Sequence, residues 1–125
     1  RKEALACEHW NHLHPLEAPK VPWVTQQLHA VKGAIIAASD YMRIVSEQIR
    51  AFLPQGLPYI TLGTDGFGRS DSRDKLREHF QVNRYFIAIA ALNALADDGV
   101  IGRSVVQDAL ERFEIDVEKP FAPTI

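Results

Sequence analysis

The sequence predicts an α/β chain: two parallel strands, at about 34–38 and 58–62, with several helices around them. Three observations carry this reading. Ala34-Ile35-Ile36-Ala37-Ala38 is a short, continuous apolar run between Gly33 and Ser39-Asp40, the pattern of a strand buried on both faces. Tyr41, Ile44, Val45, Ile49 and Phe52 then recur with helical spacing until Pro54-Gln55-Gly56 ends them, so a helix follows the first strand. Pro58-Tyr59-Ile60-Thr61-Leu62 reads as a second buried strand and feeds a glycine-rich turn. A strand–helix–strand unit of this kind is a right-handed crossover between parallel strands. The turn after residue 62 therefore lies at the carboxyl edge, where open α/β sheets place their sites.

The remaining elements follow from the same signals. Residues 3–13 are helical, with Leu5, Trp10 and Leu13 on one face and His14-Pro15 as the stop. Residues 1–20 form a lead-in helix and a proline-containing linker, and Trp10 and Trp23 are expected to anchor it. Pro22 suits a first helical position, before Trp23, Val24, Gln27, Leu28 and Val31. Asp40 is expected to cap the helix that starts at Tyr41, with Arg43, Glu47 and Arg50 turned away from its apolar stripe. After the glycine turn, residues 74–80 read as a helix capped by Asp71 or Ser72. Residues 84–96 are apolar nearly all round; a strand over 85–89 is conceivable, but the alanines and the length favour a helix covered on several sides. Ser104-Val105-Val106-Gln107 has the form of a capping box and opens a last helix before a proline-containing tail.

A chain of 125 residues is one domain or part of one. Its 46% hydrophobic and 24% charged residues are ordinary for a globular protein. A net charge of −2 gives no electrostatic case for nucleic acid or a membrane surface. The single Cys7 excludes an internal disulfide framework and suits a reducing compartment. No apolar run reaches the ~18 residues of a membrane span, and no apolar stretch of signal-peptide type follows Arg1. With no starting Met, the chain is expected to be a piece of a longer product. Two strands alone are also too few for a stable sheet, which normally needs about three or more.

The chemistry-bearing residues concentrate in Gly63-Thr64-Asp65-Gly66-Phe67-Gly68-Arg69-Ser70-Asp71-Ser72-Arg73. Three glycines in six residues permit positive φ and close approach. Residues 63–70 nearly fit a phosphate-binding P-loop, with Arg69 in place of the lysine. Arginine is not equivalent there, and Asp65 and Asp71 would repel a phosphate. Asp65, Arg69, Asp71 and Arg73 alternate in sign. The plain reading is a solvated turn with a helix cap, since exposed charge pairs contribute little. The functional reading is an ion-pair latch against a neighbouring domain or subunit. Phe67 belongs to that loop surface, and Arg84, at the start of the apolar helix, could share it. Cys7, Glu8, His9, His12 and His14 are dense in metal-binding side chains, and Glu8 and His12 lie one turn apart. Zinc sites usually draw on two separate segments, so no metal site is assigned. His29 and His79 read as packing or surface residues on amphipathic helices.

The loop GTDGFGRSDSR is the centre of a wider pattern. With Ala38-Ser39-Asp40-Tyr41-Met42 upstream and Ala90-Ala91-Leu92 and Ala94-Leu95-Ala96 downstream, it resembles the C-terminal end of the homodimeric, bacterial-type decarboxylase component of the pyruvate dehydrogenase complex. Cys7-Glu8-His9-Trp10-Asn11, Leu13-His14-Pro15-Leu16-Glu17, Val21-Pro22-Trp23-Val24 and Ser104-Val105-Val106 extend the resemblance over essentially the whole chain.

The resemblance implies a portion of a three-layer α/β/α, transketolase C-terminal-like domain, here residues 21–125, with its upstream strands and the catalytic domains absent. It implies an oxidoreductase parent in the bacterial cytoplasm. Such enzymes use thiamine diphosphate and magnesium, held by upstream domains, to decarboxylate pyruvate and pass acetyl to a lipoyl arm. The partners implied are the rest of the polypeptide, a second subunit of the homodimer and the lipoyl-bearing acetyltransferase component. No Gly-Asp-Gly stretch followed by an Asn-Asn pair occurs here, so no catalytic, cofactor-binding or metal-binding residue is transferred. The segment's expected role is architectural. Two alternatives stay open: a non-enzymatic assembly module, or a nucleotide-binding domain using residues 63–70.

Overall fold

The computed structural model describes residues 1–66 and 72–122. Helix α1 (Lys2–Leu13) leads in. Its buried Ala4 and Cys7 face the core side. The linker that follows is pinned by Asn11, whose side chain donates to the Lys20 carbonyl at 2.9 Å and accepts from the Lys20 amide at 2.8 Å. Trp10 anchors it further: its ring stacks on His14 at 4.1 Å, under the Lys20 ammonium. Trp23 is not an anchor, since it is 64% exposed. It opens α2 (Trp23–Leu28), with Pro22 as the N-cap residue rather than the first helical one.

Strands β1 (Ile35–Ala38) and β2 (Tyr59–Leu62) form a parallel pair, with Ile35 opposite Tyr59 and Ala38 opposite Leu62. The α/β class and both strand positions are as expected, each starting one residue later than the sequence suggests. Between them the chain departs from expectation. Instead of one helix over 41–52, there is α3 (Arg43–Glu47) and then a short 3-10 turn (Arg50–Phe52). Asp40 does not cap α3; Met42 is its N-cap residue and makes no side-chain cap bond. The carboxylate of Asp40 is instead taken by Arg77. Of the expected stripe only Phe52 is buried, while Tyr41, Ile44 and Val45 are exposed.

Helix α4 (Arg73–His79) is capped by Ser72, whose hydroxyl accepts from the Lys75 amide. Helix α5 (Arg84–Asp97) is capped by the Asn83 side chain and packs against β1. Only Ile89 and Ala94 of α5 are buried; Tyr85, Ile87 and Leu95 stay partly open. Helix α6 (Arg103–Arg112) packs on α5, with Phe113 against Tyr85 at 5.1 Å. The capping box does not form. Gly102 is the N-cap residue, Ser104 lies inside the helix, and Gln107 donates forward to Glu111. No helix among the described residues is long and apolar enough to cross a membrane.

Candidate functional site at the carboxyl edge of the sheet

Both strands end at one edge, and the loops beyond them interlock through the backbone. Thr64 donates from its amide to the Tyr41 carbonyl at 3.0 Å and from its hydroxyl to the Asp40 carbonyl at 2.9 Å. Gly63 makes this approach possible: a Cβ there would lie 2.6 Å from the Tyr41 carbonyl oxygen and 2.7 Å from the Arg43 nitrogen. Gly66 has φ of 114°, a value that glycine adopts freely.

Two ion pairs fasten the edge. Arg43 donates to Asp65 from its backbone amide at 2.8 Å and from Nε at 2.6 Å. Burial pushes the Asp65 carboxyl up, but these two bonds outweigh it and hold the group below its ordinary value. Arg77 grips Asp40 with two parallel bonds, of 3.0 and 2.9 Å, and these hold the Asp40 carboxyl below its ordinary value as well. Planar bidentate pairing of this type fixes orientation well. Beside it lies a groove of about 660 Å³ lined by Ser39, Asp40, Arg77, Asn83, Arg84 and Tyr85. A smaller cavity of about 170 Å³ sits behind Asp65, against Thr61, Phe80, Phe86 and Phe121.

A third polar cluster lies on the outer side of β2. Glu47 accepts from Arg50 at 2.5 and 2.9 Å and from the Thr61 hydroxyl at 2.7 Å. The Arg50 bonds, then the Thr61 bond, bring the Glu47 carboxyl down to about 2. Arg50 also donates to the Tyr59 carbonyl.

The residues singled out from the sequence are thus divided. Asp65 is at the centre of the edge, but its partner is Arg43, 22 positions earlier in the chain, not an arginine of its own loop. Arg73 opens α4, and its charge adds a small downward push on Asp40. Arg84 lines the groove and donates to the Tyr85 hydroxyl at 2.8 Å. Phe67, Arg69 and Asp71 fall outside the described residues, and so does the arginine on which the P-loop reading depends. Arg43, Arg77 and Asp40 were missed as a set. The one available signal was that Asp40 and Asp65 each follow the end of a strand.

Cys7 is buried and donates to Glu3 at 3.2 Å, a bond that raises the thiol's pKa. Among the described residues no three His, Cys, Asp or Glu side chains converge to hold a metal ion. The Asp65 and Asp40 carboxylates at the edge are engaged by Arg43 and Arg77.

Residues 7–83 match the family model of the transketolase-like TK C-terminal domain. Over 119 residues, 95% of this chain, the sequence is 48% identical to the pyruvate dehydrogenase E1 component of Cupriavidus necator. It is 54% identical over 113 residues to that of Buchnera aphidicola from Acyrthosiphon pisum, and 48% identical over 113 residues to that of Escherichia coli K12, each match covering 90% of this chain. The chain spans only 12–13% of the length of these relatives.

Proposed function

Because the chain belongs to the transketolase-like C-terminal domain family, we propose that it is the closing portion of a pyruvate dehydrogenase E1 component. The observation that carries this is the similarity to E1 components, continuous over 90–95% of the chain. In this reading the parent is a bacterial cytoplasmic homodimer. It decarboxylates pyruvate oxidatively and delivers acetyl to the lipoyl group of an acetyltransferase component. Thiamine diphosphate supplies the electron sink for that decarboxylation. In this reading it is held with magnesium by the domains preceding this chain.

The work of this portion is architectural. Asp65, Arg43, Asp40 and Arg77 hold the two carboxyl-edge loops in one geometry. Phe67, Arg69, Asp71, Arg73 and Arg84 belong, in this reading, to a surface facing the rest of the polypeptide or the second subunit. A contact role is supported by the apolar row on and before α3. Tyr41 is 71% exposed, Met42 57% and Ile44 61%, a density of open apolar side chains that marks interaction surfaces.

The test is pyruvate-dependent dye reduction by the full-length polypeptide with added magnesium and thiamine diphosphate. Turnover that requires both additions supports the proposal. A folded full-length protein that binds thiamine diphosphate and turns over another 2-oxo acid, but not pyruvate, refutes the substrate. Charge reversal at Arg69 addresses the surface: it should weaken assembly and leave nucleotide binding undetectable before and after the change. Tight binding of Mg-ATP by the wild type, abolished in Arg69→Ala, would restore the P-loop reading.

A further inference from the structure

The ends of α4 and α6 send the chain toward one place. The Val82 amide donates back to the Arg77 carbonyl at 2.9 Å, and the Ile115 amide to the Leu110 carbonyl at 3.1 Å. Helix-ending turns of this form need a left-handed residue, usually glycine. Gln81 and Glu114 take that position here, with φ of 59° and 55°. A larger residue keeps such a conformation where its surroundings over-determine it. Gln81 lines the cavity behind Asp65.

Beyond Glu114 the chain bends again at Asp116. Its carboxylate accepts from the Glu118 amide at 3.1 Å, and its carbonyl accepts from the Lys119 amide at 3.3 Å. The tail then returns to the carboxyl edge. The Lys119 ammonium donates to the Glu78 carbonyl at 3.3 Å. Phe121 lines the same cavity as Gly63, Asp65, Phe80 and Phe86, and Ala122 is buried. The Arg43 guanidinium carbon lies 5.4 Å from the centre of the Phe121 ring. Arg43 is thus held by two groups at once: Asp65 takes its amide and Nε, and the aromatic ring attracts its charge. Phe121 is 49% exposed, so its ring can leave without dismantling the core.

We propose that the C-terminal tail is a strap: its Phe121 holds Arg43 in the Asp65 pair, and withdrawal of the ring releases the interlocked segments 41–43 and 63–65. This device acts within the chain and does not depend on the identity of the parent enzyme.

The test is hydrogen exchange of the full-length polypeptide, read at single residues by mass spectrometry with electron-transfer fragmentation. In Phe121→Ala the Arg43 and Thr64 amides should exchange about 10-fold faster than in the wild type, the effect of losing a partly desolvated cation–aromatic contact. The ladder amides of Ile35 and Ser39, bonded to the Pro58 and Leu62 carbonyls, should stay within about threefold. Phe121→Leu keeps an apolar side chain but no aromatic face, and should match Phe121→Ala at Arg43. Phe121→Trp keeps the face, and should stay within about threefold of the wild type. The comparison of Leu with Trp carries the same test if Phe121→Ala does not fold. Unchanged Arg43 and Thr64 exchange in Phe121→Ala overturns the proposal. An equal rise at Ile35 and Ser39 also overturns it, since Phe121 would then be an ordinary core residue. Wild-type exchange in Phe121→Leu overturns it too, by showing a plug that does not hold Arg43. In an Asp65→Ala background, Phe121→Ala should add less than about twofold at Thr64, because the strap acts through the pair; a full 10-fold addition contradicts that route.

Discussion

Gly63→Ala is the substitution that most sharply tests how the carboxyl edge is built. The added Cβ would lie 2.6 Å from the Tyr41 carbonyl oxygen, 2.7 Å from the Arg43 nitrogen and 2.8 Å from Arg43 Cγ. Two of these are backbone atoms and cannot rotate away. Gly63 is not among the glycines with positive φ, so the penalty is steric. Relief requires the segment 41–43 to recede, which stretches the Thr64-to-Tyr41 and Arg43-to-Asp65 bonds together. Overpacking costs about 1–3 kcal/mol and each weakened bond about 0.5–1.5 kcal/mol. A total near 3 kcal/mol corresponds to about 100-fold faster exchange of the Thr64 amide, at about 1.4 kcal/mol per decade. Gly33→Ala is the control, since nothing lies within 4 Å of its Cβ position. Thr64 exchange in Gly63→Ala within threefold of the wild type, about the scatter expected of such a comparison, would refute the close approach.

Other predictions follow from the same contacts. Asp65→Ala leaves the Arg43 amide and guanidinium without their acceptor and should lower stability by about 2 kcal/mol, seen as an earlier denaturant midpoint of the full-length polypeptide. Glu47 has its folded pKa depressed from 4.5 to about 2. Its contribution is therefore complete above the unfolded value and lost as pH falls from about 4.5 toward 2. Because the side chain is 30% exposed, solvent screening reduces that contribution to about 1 kcal/mol. Glu47→Gln should flatten the stability curve in that window, and an unchanged curve would contradict the pairing. Cys7, buried and bonded to Glu3, should react with a thiol reagent at least about 100-fold more slowly in the native protein than in urea; equal rates would show an open thiol.

The strand–helix–strand frame was legible because it is a local property. An apolar run of five residues between breakers, a helical stretch and a second run specify two parallel strands, and the register follows. The ion pairs were not legible because they join distant positions: Asp65 to Arg43 across 22 residues and Asp40 to Arg77 across 37. Asp40 looked like a helix cap because capping is local, and it was lost to an arginine that only the fold brings near. The stripe of Tyr41, Ile44 and Val45 has helical spacing but stays exposed; spacing reports a face and does not say what covers it. Ser104 matched a capping pattern, yet α6 begins before it, at Arg103, with Gly102 in the capping position.

The central claim is that this portion positions and assembles without taking part in the chemistry. Steady-state dye reduction by the full-length polypeptide carrying Asp40→Asn and Asp65→Asn tests it most directly. With folded protein quantified by circular dichroism, kcat should stay within about twofold of the wild type, because neither carboxylate is in the chemical step. A fall of about 100-fold or more in kcat, the size expected when a general acid or base is removed, in a variant with unchanged fold and melting temperature would contradict the claim and place catalysis at this edge.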